Sequence, residues 1–472
     1  MATTAGAKKG LWSTIRRIAA SDRISGLIML GFALTGLVLA NLPATAHAFE
    51  TVAETHLFIP YTNLDLPIGH WAQDGLLTIF FLTVGLELKQ ELTTGSLANP
   101  KAAAVPMLCA VGGMIAPPIL FLAVTALFSQ IGPGEPGTLI LTTTGSSIPF
   151  SEMSHGWAVP TATDIAFSLA VLALFAKALP GSIRAFLMTL ATVDDLLAII
   201  LIAVFFSSIN AWYWFIGIAV CAAIWAYLVR LKKVPWIAVG IVGILAWIMM
   251  FEAGVHPTLA GVLVGLLTPS REMHGELSPR AERYANKLQP FSALLALPIF
   301  ALFATGVHFE SVSPLLLASP LVIALIVALV VGKPLGIITT AWLATHVGGL
   351  KMAKGLRVRD MIPAAVACGI GFTVSFLIAS LAYKNAELSA EARFGVLVAS
   401  LIAAAISGVL LSRQSKRFEK AAAAQAAAAE ALADAEAGES IDGNGTGQPS
   451  RTTKPTTPTE HPGTLADGTA SV

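Results

Sequence analysis

Charge is scarce in this chain. Only 12% of its 472 residues are Asp, Glu, Lys or Arg, against 55% hydrophobic residues and a mean hydropathy of +0.75. That balance excludes an ordinary soluble globule. Cysteine is equally sparse: Cys109, Cys221 and Cys368 are the three present, each alone in an apolar run, with no CxxC spacing and no clustered histidines. A disulfide framework and a structural metal centre are therefore not expected. The formal net charge of +1 gives no basis for a nucleic-acid partner. What remains is a set of long apolar stretches able to cross about 30 Å of hydrocarbon, the mark of a multi-pass membrane protein with the lipid bilayer as its surroundings.

On the criterion of roughly 17 to 25 mostly apolar residues, about twelve spans are expected. They fall near 24–41, 75–94, 102–128, 156–176, 183–206, 211–229, 235–250, 253–268, 289–306, 318–343, 362–383 and 392–412. This predicts an all-α fold whose membrane domain covers 24–412, between an N-terminal segment, 1–23, and a tail, 413–472. Lys and Arg are retained by cytoplasmic loops. Here they cluster in alternate connections, for example Arg230, Lys232 and Lys233, then Arg280, Arg283 and Lys287, while 42–74 and 129–155 contain none. Both termini are accordingly expected in the cytoplasm. The stretch around Trp12, Ile15, Arg16 and Arg17 reads as an interfacial amphipathic helix. Alternation in 55–69 suggests a small β-hairpin with Asn63 near its turn. The tail reads as an Ala-rich helix over 418–437 followed by a Gly, Pro, Ser and Thr-rich segment without the apolar content to order itself.

Against this apolar background four ionisable residues stand out: Lys333, the only basic residue inside an apolar run, and Asp164, Asp194 and Asp195. A charge at the bilayer centre costs about 2.5 to 3.5 kcal/mol on insertion scales, so such residues pair or line a watery path. Two spans also contain breaks. In GWAVPTATDIAFSLAVLALFA, Pro160, Thr161, Thr163 and Asp164 leave only 165–176 as uninterrupted helix, about 18 Å long at 1.5 Å per residue and too short to cross alone. In AAVACGIGFTVSFLIASLAY, Gly369, Gly371, Thr373 and Ser375 interrupt the middle. These are the fourth and eleventh spans, each the middle of a triplet, and an offset of seven spans reverses their direction. That pattern predicts inverted repeats with two discontinuous helices at their interface.

Facing breaks concentrate partial charge, positive at two N-termini and negative at two C-termini. Asp164 is placed to offset the first and Lys333 the second. Asp194 and Asp195, neighbours on one helix, point about 100° apart, so one can face an ion cavity while the other meets Lys333. Close carboxylates titrate as a pair, and a small hard cation competes with protons for their oxygens, helped by the Thr163 hydroxyl and freed carbonyls. Proton-coupled cation exchange is the chemistry this set supports. An intramembrane aspartyl hydrolase would need aspartates on separate helices in a GxGD setting, which is absent. A passive channel would not need a proton-accepting pair, and a salt bridge that only sets packing would not need two broken helices.

The segments FFLTVGLELKQELTTGSL (80–97), GWAVPTATDIAFSLAVLAL (156–174), FLMTLATVDDLLAII (186–200), GVHPTLAGVLVGLLTP (254–269), GKPLGI (332–337) and CGIGFTVSFLIASLAY (368–383) resemble the NhaA-type sodium/proton antiporters over roughly residues 20–412. NhaA is itself a standard instance of the inverted-repeat arrangement described above. The resemblance implies a twelve-helix transporter of the bacterial cytoplasmic membrane, not an enzyme and without a cofactor. It exports Na+, and typically Li+, in electrogenic exchange for H+. Asp195 matches the principal carrier position, Asp194 the residue acting beside it, Thr163 a sodium ligand, and Asp164 and Lys333 the dipole-balancing pair, with Lys333 also expected on Asp194. Glu87, Lys89 and Glu91 match part of the family's pH-response region, and His256 matches a family histidine. Gln90, Ala285, Asn286 and Gln289 stand where relatives often carry a basic residue, a Glu and two His, so those side chains cannot sense protons here. The resemblance also implies a homodimer joined through the external loop 42–74.

Overall fold

The computed structural model describes residues 17–442 apart from 20, 59–63, 133–134, 142–144, 177–178, 308–313, 351 and 353–355. The expected N-terminal amphipathic segment up to Arg16, the turn at Asn63 and the tail beyond 442 lie outside the described residues. The chain separates into a compact unit over 1–418 and a second unit from Glu419 onward.

The described residues form mostly helices. In chain order they are α1 (Asp22–Asn41), α2 (Ala46–Glu54), α3 (Leu77–Thr93), α4 (Pro100–Ile131), α5 (Phe150–Thr161), α6 (Ile165–Phe175), α7 (Gly181–Phe205), α8 (Tyr213–Leu228), α9 (Trp236–Glu252), α10 (Leu259–Leu267), α11 (Arg280–Thr305), α12 (Pro320–His346), α13 (Val358–Ala367), α14 (Phe372–Ala382) and α15 (Ala386–Asp442). Among the described residues, six helices are long and apolar enough to cross a membrane, or up to eight when each of two bent pairs counts as one span. The expected spans at 211–229 and 235–250 correspond to α8 and α9, of 16 and 17 residues. That at 253–268 is reduced to the nine residues of α10, because Gly254, at φ +76°, and Pro257 occupy its start. Several expected boundaries also move outward. α11 begins at Arg280 rather than 289, on an amphipathic turn too polar to register as apolar, and α15 begins at Ala386 rather than 392.

Among the described residues, strands are confined to two ribbons. β1 (His56–Phe58) pairs antiparallel with β2 (Asp65–Pro67), and β3 (Thr138–Ile140) with β4 (Ser147–Pro149). The first is the hairpin expected from the alternation in 55–69, with Leu57 opposite Leu66 and the His56 ring 2.9 Å from the Asp65 carboxylate. On the opposite side in the expected topology, the buried Arg280 guanidinium pairs with Glu276 at 2.8 Å and donates to the carbonyls of Val229 and Leu231, both at 2.7 Å. It thereby ties the connection after α8 to the start of α11.

Both stretches in which a break is expected are bent. α5 and α6 meet at 50° across residues 162–164, and α13 and α14 at 58° across 368–371. They pack in opposed halves, α5 against α14 and α6 against α13. α7 lies on α4, and α12 packs along α4 as well. In α12 a π-helical stretch, Ala328–Gly332, precedes Lys333. Pro334 offers no N–H to the helix ladder, and a one-turn expansion beside it accommodates that loss.

Close packing at Gly336, one turn beyond Lys333, fixes α12 against α4. A Cβ at Gly336 would lie 2.2 Å from the carbonyl oxygen of Gly112, a backbone atom with no room to yield. Small residues at membrane-helix contacts allow such approach. Gly336→Leu should therefore lower the detergent melting temperature markedly, overpacking costing about 1 to 3 kcal/mol. Gly31→Ala, at a helical glycine with nothing within 4 Å of the new carbon, should leave it nearly unchanged. Equal melting temperatures for the two variants would contradict this packing.

Candidate functional site

The two breaks meet in the buried centre, and each exposed helix end finds a partner there. Residues 162–164 are extended because Pro160 cannot donate to a continuing helix and Asp164 is a favoured N-cap, its side chain competing for backbone N–H groups. Asp164 (φ −85°, ψ 102°) caps α6 by accepting from Phe167 N at 2.9 Å through Oδ1. Its Oδ2 accepts from the first turn of α14, Thr373 N at 3.2 Å and Thr373 Oγ1 at 2.9 Å. One carboxylate thus serves two helix N-termini, whose aligned dipoles favour negative charge. A second acceptor comes from α15: Ser400 Oγ takes Phe372 N at 3.2 Å.

The C-terminal ends are served by donors. Lys333 Nζ donates to the carbonyl of Thr161, the last residue of α5, and to Asp194 Oδ2 at 2.7 Å. At the end of α13, Ser168 Oγ donates to Ala367 O at 2.9 Å and Thr163 Oγ1 to Cys368 O at 3.0 Å. Asp164 N closes the set on Ile370 O at 2.7 Å. Thr163 is therefore engaged as a donor, which leaves its oxygen lone pairs as the groups able to face a cation.

Asp194 and Asp195 sit in mid-α7, 1% and 6% exposed. Their divergence on the helix appears in their partners. Asp194 is held by Lys333, itself fully buried, whereas Asp195 has a buried Oδ1 with no hydrogen-bond partner, as has Asp194 Oδ1. Unpartnered buried carboxylate oxygens are costly unless water, a proton or a cation satisfies them. Among the described residues no group of three or more His, Cys, Asp or Glu side chains forms a metal-type cluster. Ligands for a hard cation beside Asp195 would accordingly include hydroxyl and carbonyl oxygens.

The other residues singled out lie apart from this hydrogen-bonded set. Glu87 is exposed and Lys89 half-buried near the end of α3. Glu91 accepts from Ser96 N at 2.9 Å and Ser96 Oγ at 2.8 Å, and Ser96 Oγ reaches Thr189 of α7 at 2.9 Å. Gln90 bonds back to Leu86 O, and Ala285 packs with Leu86, Ala281 and Tyr284 while Asn286 is exposed and Gln289 half-buried. His256 is buried, with Nδ1 2.6 Å from Thr258 Oγ1 and Nε2 3.5 Å from Asp74 Oδ1.

Asp74, 8% exposed, escaped the sequence reading because it falls one residue before the expected second span. The helix in fact reaches back through a π-turn, Trp71–Leu76, which buries it, and Trp247 Nε1 donates to its carbonyl at 3.0 Å. Ser168 and Ser400 escaped for a different reason, since isolated serines in apolar helices carry no local signal of what they cap.

The profile of the family described as Na+/H+ antiporter 1 matches this chain over residues 16–145 and 138–411. A protein of Bifidobacterium longum (strain NCC 2705) called Na(+)/H(+) antiporter NhaA is 97% identical over 472 residues, covering all of this chain and 99% of that protein. Its counterpart in Bifidobacterium breve (strain NCIMB 8807 / UCC2003) is 86% identical over the same length, again covering 99% of the relative. A more distant relative, Na(+)/H(+) antiporter NhaA 3 of Streptomyces coelicolor (strain ATCC BAA-471 / A3(2) / M145), is 38% identical over 400 residues, 84% of this chain and 80% of that protein. With several apolar helices of membrane-spanning length, two bent helix pairs packed on each other and a buried carboxylate pair, the chain is a multi-pass helical membrane protein that belongs to the Na+/H+ antiporter 1 family.

Proposed function

We propose that this protein exchanges Na+, and also Li+, for H+ across the bacterial cytoplasmic membrane, exporting the metal cation electrogenically at the expense of the proton gradient. The activity for which the relatives are named and the family match support the exchange itself. The finer reading rests on one observation: two adjacent buried aspartates each have one oxygen without a hydrogen-bond partner, and Lys333 pairs with Asp194 and not with Asp195. In this reading Asp195 carries Na+ or a proton in turn. Asp194 acts beside it, and Thr163 contributes a hydroxyl oxygen. Asp164 and Lys333 hold the crossed helix ends so that the site can alternate between the two sides of the membrane.

The remaining assignments follow the same frame. Twelve spans cross the bilayer, with α5–α6 and α13–α14 each forming one discontinuous span and both termini in the cytoplasm. The membrane domain is taken as 24–412 and the flanking 1–23 and 413–472 as cytoplasmic. Glu87, Lys89 and Glu91 modulate the response to pH from the cytoplasmic end of α3, with His256 acting from its contact with Asp74. Two protomers join through the external 42–74 segment, whose β1 residues Leu57 and Phe58 are 50% and 65% exposed.

The test of the carrier assignment uses everted vesicles with an internal pH dye. Na+ added to energised vesicles should raise the internal pH with the native protein, and this signal should fall to background for Asp195→Asn at equal membrane levels. The amide keeps the shape but neither exchanges a proton nor balances a cation. Near-native exchange by that variant would overturn the assignment.

Lys333 is tested by stability. Removing one partner of a buried pair costs about 3 to 5 kcal/mol because the other charge is left uncompensated. Lys333→Ala should therefore lower the melting temperature, Lys333→Arg much less, and Lys333→Ala combined with Asp194→Asn should recover much of the loss. Identical melting temperatures for the single and double alanine variants would mean that the 2.7 Å contact carries no energetic weight.

A further inference from the structure

The interrupted span α13–α14 has its break spanned from outside by α15. Gln414 Nε2 donates to the carbonyl of Asp360 in the first turn of α13, at 2.7 Å, and Ser400 Oγ accepts from Phe372 N, the first residue of α14, at 3.2 Å. These residues are two heptads apart, hence on one face of α15 and about 21 Å apart along it. The continuous helix thus holds both the start of one half-helix and the start of the next. Ser400 is fully buried, and its contact falls where α14 presents its unsatisfied N–H groups. The neighbouring N–H, that of Thr373, is held by Asp164.

We infer that α15 is the splint of the discontinuous span and that Ser400 is a positioning residue for cation binding. It acts through Asp164 by relieving that carboxylate of a further backbone N–H. Without the serine hydroxyl, Phe372 N–H is left in a dry interior, and Asp164, already on the adjacent residue, is the acceptor it turns to. The carboxylate is then drawn toward α14 and away from Phe167 N, and the extended segment bearing Thr163 moves with it. The energetics of one buried unsatisfied donor suffice for roughly a three- to tenfold change in an equilibrium constant.

This inference rests on the carrier site proposed above, and its test keeps the two separate. Na+ and Li+ titrations of exchange by the full-length protein in proteoliposomes give an apparent KM and a maximal rate. Ser400→Ala should raise the apparent KM for both cations roughly three- to tenfold with the maximal rate largely kept, and Ser400→Thr, which retains the hydroxyl, should restore it. An unchanged KM in Ser400→Ala overturns the inference, and so does a threonine variant as impaired as the alanine one. If the alanine variant does not reach the membrane, Ser400→Cys replaces it. The sulfur is a weak acceptor of similar size, so a raised KM supports the role and a native KM refutes it. Asp195→Asn in the same assay reports on the carrier site alone.

Discussion

The carboxylate of Asp164 is the constraint on which the site depends. It accepts from Phe167 on one half-helix and twice from Thr373 on another, so two N-termini that would repel are joined through one negative charge. Interrupted helices at membrane depth are permitted only where protein or water satisfies the freed backbone groups. Here the satisfaction is reciprocal. The backbone of Asp164 donates to Ile370, Thr163 and Ser168 cover the carbonyls closing α13, and Lys333 covers Thr161. The bent segments therefore satisfy much of each other's freed backbone, with Lys333 of α12 and Ser400 of α15 completing the set.

The same economy of charge separates two residues that the sequence makes look alike. Asp194 and Asp195 share a helix turn and burial, yet α12 presents a single cation, and helix geometry allows only one of them to meet it. In the proposed scheme this leaves Asp195 free to exchange ligands while Asp194 remains compensated. The position of Lys333 depends in turn on the π-turn before Pro334 and on the close approach of Gly336 to Gly112, features of packing rather than of chemistry.

Much of this was legible in the residues. Proline, two threonines and an aspartate inside an apolar run located the first break to within a residue of the observed start of α6, because their effect on the helix is local. That one of the two adjacent aspartates meets Lys333 followed from there being one Lys or Arg inside the apolar runs, and the choice of Asp194 came from the family resemblance. What was not legible depends on neighbours distant in sequence. The burial of Asp74 requires a π-turn that extends a helix past its apolar stretch, and the serines at 168 and 400 acquire meaning only from the helix end that each meets. Span limits also drifted where the helix continues into polar sequence, as at Arg280 and Ala386, since hydropathy marks the membrane and not the end of the hydrogen-bond ladder.

In the proposed exchange, cation and proton compete for one carboxylate held beside the bent helix pairs. Proton release on addition of Na+ to the purified protein in weakly buffered detergent solution tests it most directly. Protons should be released from the native protein, saturating with Na+ binding, and none from Asp195→Asn. Saturable Na+ binding by the native protein with no accompanying release of protons would contradict it.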